Sequence, residues 1–230
     1  MGVRARFLGH ACWQISTRDH SIVIDPFLTG NPVAAARPED LQVEAVLITH
    51  GHSDHIGDAV DIAKRCDALV IGCYELTSYL GQKGVRTHGM HLGGSHEFGF
   101  GSVKLVQAFH GSGLIEGDNI IYLGNPAGLL IRMGGKTVYH SGDTALFGDM
   151  KLFSRQNKID LAVLPIGDNY TMGIDDAIEA VKLLDPVRVV PMHYNTFDLL
   201  KADPDEFARR VHSETHARCT VLAPGAEIQV

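Results

Sequence analysis

One six-residue segment constrains this chain more than any other feature: His50-Gly51-His52-Ser53-Asp54-His55. It directly follows the continuous apolar run AVLIT at 45–49, which is typical of a buried strand. It directly precedes residues 56–66, whose apolar positions recur with helical spacing and predict a helix. A loop between a buried strand and a helix therefore carries three imidazoles and a carboxylate.

The spacing of these four side chains favours metal binding. In a loop, His50 and His52 can converge on one cation, and Gly51 allows the tight backbone turn that this requires. Asp54 and His55 lie a step further along and can serve a second cation close by. Imidazole and carboxylate together suit zinc, manganese or iron. The alternative interpretation is that Asp54 only caps the helix and that the histidines are exposed loop residues.

Three more candidate ligands follow apolar runs elsewhere in the chain: His110, Asp143 and His193. Four donors from one loop rarely complete a site for two metals, so other segments would have to contribute. The runs that precede the two histidines, 103–109 and 187–191, are both predicted strands. Taken singly, each residue could be an ordinary turn aspartate, capping histidine or core histidine. Taken jointly, they predict a site at the ends of several strands.

The pattern along the chain predicts a single mixed α/β layered domain over residues 1–230. The first 25 residues contain three short β-rich runs, whereas the last third alternates strands, such as 161–165, with helices. One of these helices spans 176–184 with Asp175 as its N-cap. The next has Asp203 as its cap and Pro204 at its first position. Hydrophobic residues make up 45% of the chain and charged residues 20%, so a real core can form.

Charge and composition exclude several classes of partner. The net charge is −7 and no run of Lys and Arg exists, so we do not expect nucleic acid to be a partner. No apolar run approaches the roughly 20 residues of a membrane span, and Gly9-His10 breaks the apolar stretch that a signal peptide would need. The four cysteines form no C-x-x-C pair. We therefore expect a cytoplasmic protein with a small-molecule substrate, and leave a homo-oligomer open.

The ordered set of motifs resembles the metallo-β-lactamase superfamily. The motifs are HGHSDH at 50–55, the strand-end His110, SGDT at 141–144 and the late His193. The segments LGHACWQI at 8–15 and PIGDNYTMG at 165–173 are similar to those of small bacterial metal-dependent hydrolases. That branch is related to ascorbate-6-phosphate lactonase and to a phospholipase D that acts on N-acyl phosphatidylethanolamine. The resemblance implies an α+β fold, a four-layer αββα sandwich, with the metal site at one edge of the paired sheets.

The resemblance also implies a full set of ligands for two divalent metal ions. It assigns the first metal to His50, His52 and His110, and the second to Asp54, His55 and His193, with Asp143 bridging. Zinc is the first expectation, with manganese or iron as alternatives. Relatives that work as di-iron oxidases commonly have Glu where this chain has His52, so hydrolysis is favoured.

The expected chemistry follows from the charges. Two divalent cations carry four positive charges, and the carboxylates of Asp54 and Asp143 neutralise only two of them. A hydroxide is therefore expected to bridge the metals. That hydroxide would attack a carbonyl carbon or a phosphorus, which predicts hydrolysis of a small ester, lactone or phosphodiester. Asp54 would orient it or accept a proton. The alternative is a catalytically silent sensing or binding module of the same fold, against which the complete ligand set argues.

Five further residues are candidates for catalysis, ligand orientation or substrate binding. His10 lies at the first strand turn, and a histidine at this place faces the metal pocket in the relatives that this branch resembles. It is predicted to act in catalysis, with an ordinary turn histidine as the alternative. His140 is a candidate for substrate binding or for orienting a ligand, unless strand alternation turns it away. The remaining candidates for substrate binding follow the strand 161–165 and could equally form a polar turn: Asp168, Asn169 and Tyr170.

Overall fold

The computed structural model describes residues 2–230, which form sixteen strands and six α-helices. The strands of the first half are β1 (Arg4–Gly9), β2 (Cys12–Ser16), β3 (Ser21–Ile24), β4 (Ala45–Leu47), β5 (Leu69–Cys73), β6 (Thr87–Met90), β7 (Ser95–Phe98) and β8 (Gly101–Gln107). Those of the second half are β9 (Gly113–Glu116), β10 (Asn119–Tyr122), β11 (Ala127–Met133), β12 (Lys136–His140), β13 (Leu161–Pro165), β14 (Arg188–Met192), β15 (Arg218–Cys219) and β16 (Glu227–Gln229). The helices are α1 (Ser53–Ile56), α2 (Ala59–Cys66), α3 (Tyr74–Gly81), α4 (Met150–Gln156), α5 (Ile174–Leu184) and α6 (Pro204–Glu214).

Fourteen of the strands form two seven-stranded sheets of similar plan. The first has the order β16-β1-β2-β3-β4-β5-β6 and is antiparallel up to β3 and parallel from β3 to β6. The second has the order β15-β14-β13-β12-β11-β8-β7 and is parallel up to β12 and antiparallel beyond it. In each sheet, the carboxyl ends of the parallel strands therefore meet at one edge. The hairpin β9–β10 stands apart from both sheets.

Strand alternation sorts the apolar side chains into four layers. Along β4, Leu47 packs between the two sheets, whereas Val46 packs against α2 and α3. Along β13, Val163 joins the core between the sheets and Leu164 packs against α5 and α6. Helices thus cover the outer face of each sheet, and the predicted αββα sandwich is confirmed.

Two predicted helices differ from the structure at their amino ends. The helix predicted over 56–66 begins later, at Ala59 as α2, and the separate short helix α1 precedes it, because Gly57 adopts φ +42° and lies against the backbone of Phe27. A helical conformation cannot continue through that residue. The helix predicted over 176–184 begins earlier, at Ile174, so its N-cap is Gly173 and the prediction of Asp175 was wrong.

Other elements were predicted correctly or missed. The strand over 161–165 is confirmed, and Asp203 caps α6 by accepting a hydrogen bond from the backbone N–H of Asp205 at 2.9 Å. The strands β6, β7, β9 and β10 and the helix α4 were not predicted. Within residues 2–230, every helix is too short or too polar to cross a membrane.

Candidate metal centre

The seven predicted ligands lie together at the edge where the parallel strands of both sheets end. His50 and His52 follow β4, and the short helix α1 carries Asp54 and His55. The second sheet supplies the remaining three from the segments after β8, β12 and β14: His110, Asp143 and His193. The cluster is therefore built by both sheets, although four of its members come from one loop.

Three imidazoles form the first group. The Nδ1 atom of His52 lies 2.9 Å from Nε2 of His50 and 3.2 Å from Nε2 of His110. Around a tetrahedral zinc with bonds of about 2.0–2.1 Å, neighbouring nitrogens lie about 3.3 Å apart, so the group has nearly that spacing. Burial lowers the pKa of all three imidazoles. They are therefore neutral, as metal ligands must be.

A second group surrounds the carboxylate of Asp54. Its Oδ2 atom lies 4.0 Å from Nε2 of His55, 3.9 Å from Nε2 of His193 and 3.1 Å from Nε2 of His10. Burial acts to raise the pKa of Asp54, but the hydrogen bond with His10 and the neighbouring His55 hold it below its usual value. The carboxylate is thus ionised and available to a cation.

Asp143 lies between the two groups. Its Oδ2 is 3.5 Å from Nε2 of His110 and 3.1 Å from Nε2 of His193, and its Oδ1 is 3.4 Å from Nε2 of His55. Burial acts to raise the pKa of Asp143, but His193 and His55 hold it well below its usual value. One ionised carboxylate thus faces donors of both groups, the position that a bridging ligand needs.

Unpaired buried atoms test whether this cluster fits metal ions. Nε2 of His55, Oδ1 of Asp143 and Nε2 of His193 are buried and form no hydrogen bond with any residue in the range 2–230. A buried polar atom without a partner costs about 1–3 kcal/mol. Three such atoms facing one another indicate a missing common partner, and a cation fits imidazole nitrogens and a carboxylate oxygen.

Two side chains that the sequence reasoning missed orient the ligands. The carboxylate of Asp25 accepts a hydrogen bond from Nδ1 of His55 at 2.7 Å and another from the hydroxyl of Thr49 at 2.6 Å. That hydroxyl lies 3.0 Å from Nδ1 of His50 and accepts a hydrogen bond from the N–H at this position of the ring. Both histidines are thereby assigned the tautomer that leaves Nε2 free for a metal. The available signal was an aspartate directly after the apolar run 21–24.

Asp25 also affects the charge of His55. Burial acts to lower the pKa of His55, but Asp143 and Asp25 raise it well above its ordinary value. In the metal-free protein this ring is therefore protonated, and binding a cation at its Nε2 requires release of that proton.

The structure brings His10 to the cluster. Its ring is buried, with Nδ1 at 2.9 Å from the hydroxyl of Thr196 and Nε2 at 3.1 Å from Oδ2 of Asp54. Burial lowers the pKa of His10 to about 4, so the ring is neutral at pH 7. His10 thus contacts a predicted ligand directly and is not an exposed turn residue.

The ring of His140 is buried and points to backbone groups of Ala11 and Gly142. Its Nε2 donates to the carbonyl of Ala11 at 3.0 Å, and its Nδ1 accepts from the N–H of Gly142 at 3.2 Å. Both ring nitrogens are therefore used by the backbone. The geometry supports the positioning role for the loop of Asp143, and not substrate binding.

The backbone of the turn after β13 packs against the segments that carry two of the predicted ligands: a Cβ at Gly167 would collide with the carbonyl oxygen of His193, and the N–H of Met172 donates to the carbonyl of Thr144 at 3.1 Å. Asp168 and Asn169 both have left-handed backbone conformations, and the side chain of Tyr170 is exposed. Asp168 packs against Gly173 and lines a surface depression with Asp175 and other polar residues. The three residues form a polar turn, and their part in substrate binding stays a prediction.

Comparison with known proteins identifies the fold and the family. The family model described as the β-lactamase superfamily domain matches residues 20–194. A UPF0173 metal-dependent hydrolase of Pelotomaculum thermopropionicum is 52% identical over 229 residues, covering 99% of this chain and 100% of the relative. One of Bacillus cytotoxicus is also 52% identical, over 228 residues, covering 98% of this chain and 99% of the relative.

A solved structure agrees with these relatives. Igni18, a metallo hydrolase from Ignicoccus hospitalis, superposes with a TM-score of 0.91 at 37% identity and covers 100% of this chain and 99% of its own. This chain therefore belongs to the metallo-β-lactamase superfamily, and within it to the UPF0173 metal-dependent hydrolases.

Proposed function

We propose that the cluster holds two divalent cations. His50, His52 and His110 would hold the first, and Asp54, His55 and His193 the second, with Asp143 shared between them. When bound, the cations would lower the pKa of a coordinated water from 15.7 to about 7 and polarise the bond to be cleaved. Zinc suits this donor set best, with manganese or iron as alternatives set by availability.

The reaction that we propose is hydrolysis of a small ester or lactone. The observation that carries it is the convergence of seven imidazole and carboxylate donors from both sheets, with buried Nε2 and Oδ atoms that form no hydrogen bond within residues 2–230. No serine or cysteine of the described residues is paired with a histidine as an activated nucleophile would be. Water is accordingly the nucleophile.

In this proposal Asp54 accepts the proton of the attacking water, and His10 and Thr196 orient Asp54. Asp54 is partly exposed, with 30% of its side chain accessible, and Oδ2 points to His193, His55 and His10. Its carboxylate can accept a proton from the attacking water at an oxygen that the neutral His10 ring holds in place. Thr196 holds that ring from its other nitrogen.

The surroundings of His10 favour a neutral substrate over an anionic one. The rings of Phe27 and Phe197 each lie 5.7 Å from the His10 ring, and 42% of Phe197 is exposed. Within residues 2–230, no Lys or Arg side chain forms an ion pair or hydrogen bond with a member of the cluster. The aromatic rings beside His10 and the lack of a cationic partner for these cluster members support an ester or lactone over a phosphodiester.

A paired assay tests this proposal. The protein is reconstituted with zinc and separately with manganese, its metal content is measured by plasma emission, and a simple lactone and bis-p-nitrophenyl phosphate are assayed side by side. We expect at least two equivalents of metal, lactone hydrolysis, and loss of that activity on chelation. Activity that survives exhaustive chelation would overturn the mechanism. Cleavage of the phosphodiester alone would overturn the substrate class, and two bound metals without activity on either would favour a sensing module.

Replacing His10 separates positioning from metal binding. His10→Ala removes the ring that holds Asp54 but none of the proposed ligands, so we expect unchanged metal content and a turnover lowered by about 10–100-fold. Metal content and kcat are measured on the same sample. Loss of metal would show that His10 is itself a ligand, and an unchanged kcat would contradict the positioning role.

A further inference from the structure

A second group of metal-binding side chains lies outside the centre described above: Cys73, Glu75 and His91. Cys73 is the last residue of β5, Glu75 lies in the first turn of α3, and His91 directly follows β6. A sulfur, a carboxylate oxygen and a ring nitrogen of these residues all lie within 4.8 Å of one another. Cys73 Sγ and Glu75 Oε2 are 3.1 Å apart.

Strand pairing and a glycine bring this group together. Because β5 and β6 are parallel and Cys73 pairs with Met90, His91 leaves the sheet beside the sulfur. On another side the backbone of Gly124 closes over the group, and a Cβ at that position would lie 2.8 Å from Cys73 Sγ and collide with Glu75. Gly124 has φ +83°, so this close approach depends on a glycine.

The group combines a buried and two accessible donors. Only 2% of Cys73 is exposed, whereas Glu75 and His91 are exposed. The ring of Tyr74 lies 5.7 Å from that of His91 and flanks it. A buried sulfur with accessible nitrogen and oxygen donors above it is a half-enclosed site that a cation can enter from solvent.

We propose that Cys73, Glu75 and His91 bind a third divalent cation of the zinc class. Sulfur, imidazole nitrogen and carboxylate oxygen are the three donor types of protein zinc sites, and three protein ligands leave a fourth position open to water. Magnesium and calcium, which prefer oxygen, are disfavoured. The cation would join the end of β5, the start of α3 and the end of β6.

This site would support the loop beside the main centre. Gly124 touches the new group, and the preceding residue Leu123 lies against Gly51 of the main metal-binding loop. The backbone N–H of Leu123 also donates to Ser112, whose hydroxyl accepts from the N–H of Gly51 at 3.0 Å. A cation at Cys73 would therefore anchor the segment that packs on that loop.

Cobalt distinguishes the two sites, because the main cluster contains no sulfur ligand. The metal-free protein is titrated with Co²⁺ while bound cobalt and the near-ultraviolet absorption from thiolate-to-cobalt charge transfer are recorded. We expect this absorption in the unaltered protein, together with one equivalent of cobalt beyond those of the main centre. Cys73→Ser should abolish the absorption and remove one equivalent, and His91→Ala, at an exposed position, should weaken cobalt binding at this site at least about tenfold.

Cys66→Ser is the matched control, since Cys66 is half-buried and belongs to no metal-binding group. This variant should retain the absorption. Absorption that persists in Cys73→Ser, or that is absent in the unaltered protein at saturating cobalt, would overturn the proposal. If Cys73→Ser fails to fold, an unchanged titration of His91→Ala overturns it instead. Because no arm of the experiment measures hydrolysis, its failure is separate from failure of the proposed function.

Discussion

Asp25 orients two of the predicted metal ligands, His55 directly and His50 through Thr49. Its carboxylate accepts a hydrogen bond from Nδ1 of His55, and it also accepts hydrogen bonds from the hydroxyl and the backbone N–H of Thr49. In Asp25→Asn the charge that orients His55 is lost, so we expect metal affinity to fall about 10–100-fold. A competition titration with a chromophoric chelator measures this. Asp160→Asn is the control, because Asp160 binds Lys136 and the N–H of Thr137 at the opposite end of the sheet; equal losses in both variants would contradict the orienting role.

A break at Gly57 separates the short helix α1 from α2. A Cβ at Gly57 would lie 2.5 Å from Cα of Phe27, whereas one at Gly84, also with positive φ, would meet nothing nearer than 3.9 Å. We therefore expect Gly57→Ala to lower the free energy of unfolding by about 1–3 kcal/mol more than Gly84→Ala, as overpacking does. Urea unfolding of both variants measures this, and equal effects would argue against the contact. Because α1 carries Asp54 and His55, Gly57→Ala should also weaken metal binding, and Gly84→Ala should not.

At the scale of the whole molecule, the metal centre would act as a cross-link between the two sheets. Its predicted ligands follow β4 in the first sheet and β8, β12 and β14 in the second. A ligand that binds only the folded state at 1,000 times its Kd stabilises that state by about 4 kcal/mol. At about 2–4 °C per kcal/mol for a chain of this size, chelation should lower Tm by about 8–16 °C. Calorimetry with and without chelator, followed by return of zinc, tests this; a Tm that does not respond would mean that the centre does not join the sheets.

The sequence by itself determined the features that depend on near neighbours along the chain. The apolar run at 45–49 and the spacing of His50, His52, Asp54 and His55 located the main loop, because a strand end and a tight loop are local. Asp203 was identified as a helix cap because capping involves residues two or three positions away. The motif order also led to the superfamily, which the comparisons confirm.

Only the tertiary structure decided which residues that are distant along the chain meet. Asp25 reaches His55 thirty positions away, and His10 reaches Thr196, 186 positions away. The ring of His140 points to the backbone of Ala11 because of its place in the register of β12. The proximity of Cys73 to His91 likewise depends on the pairing of β5 with β6, a strand that the sequence did not predict. Spacing along a chain does not encode such distances, because these contacts arise only when the strands pair into sheets and the two sheets pack face to face.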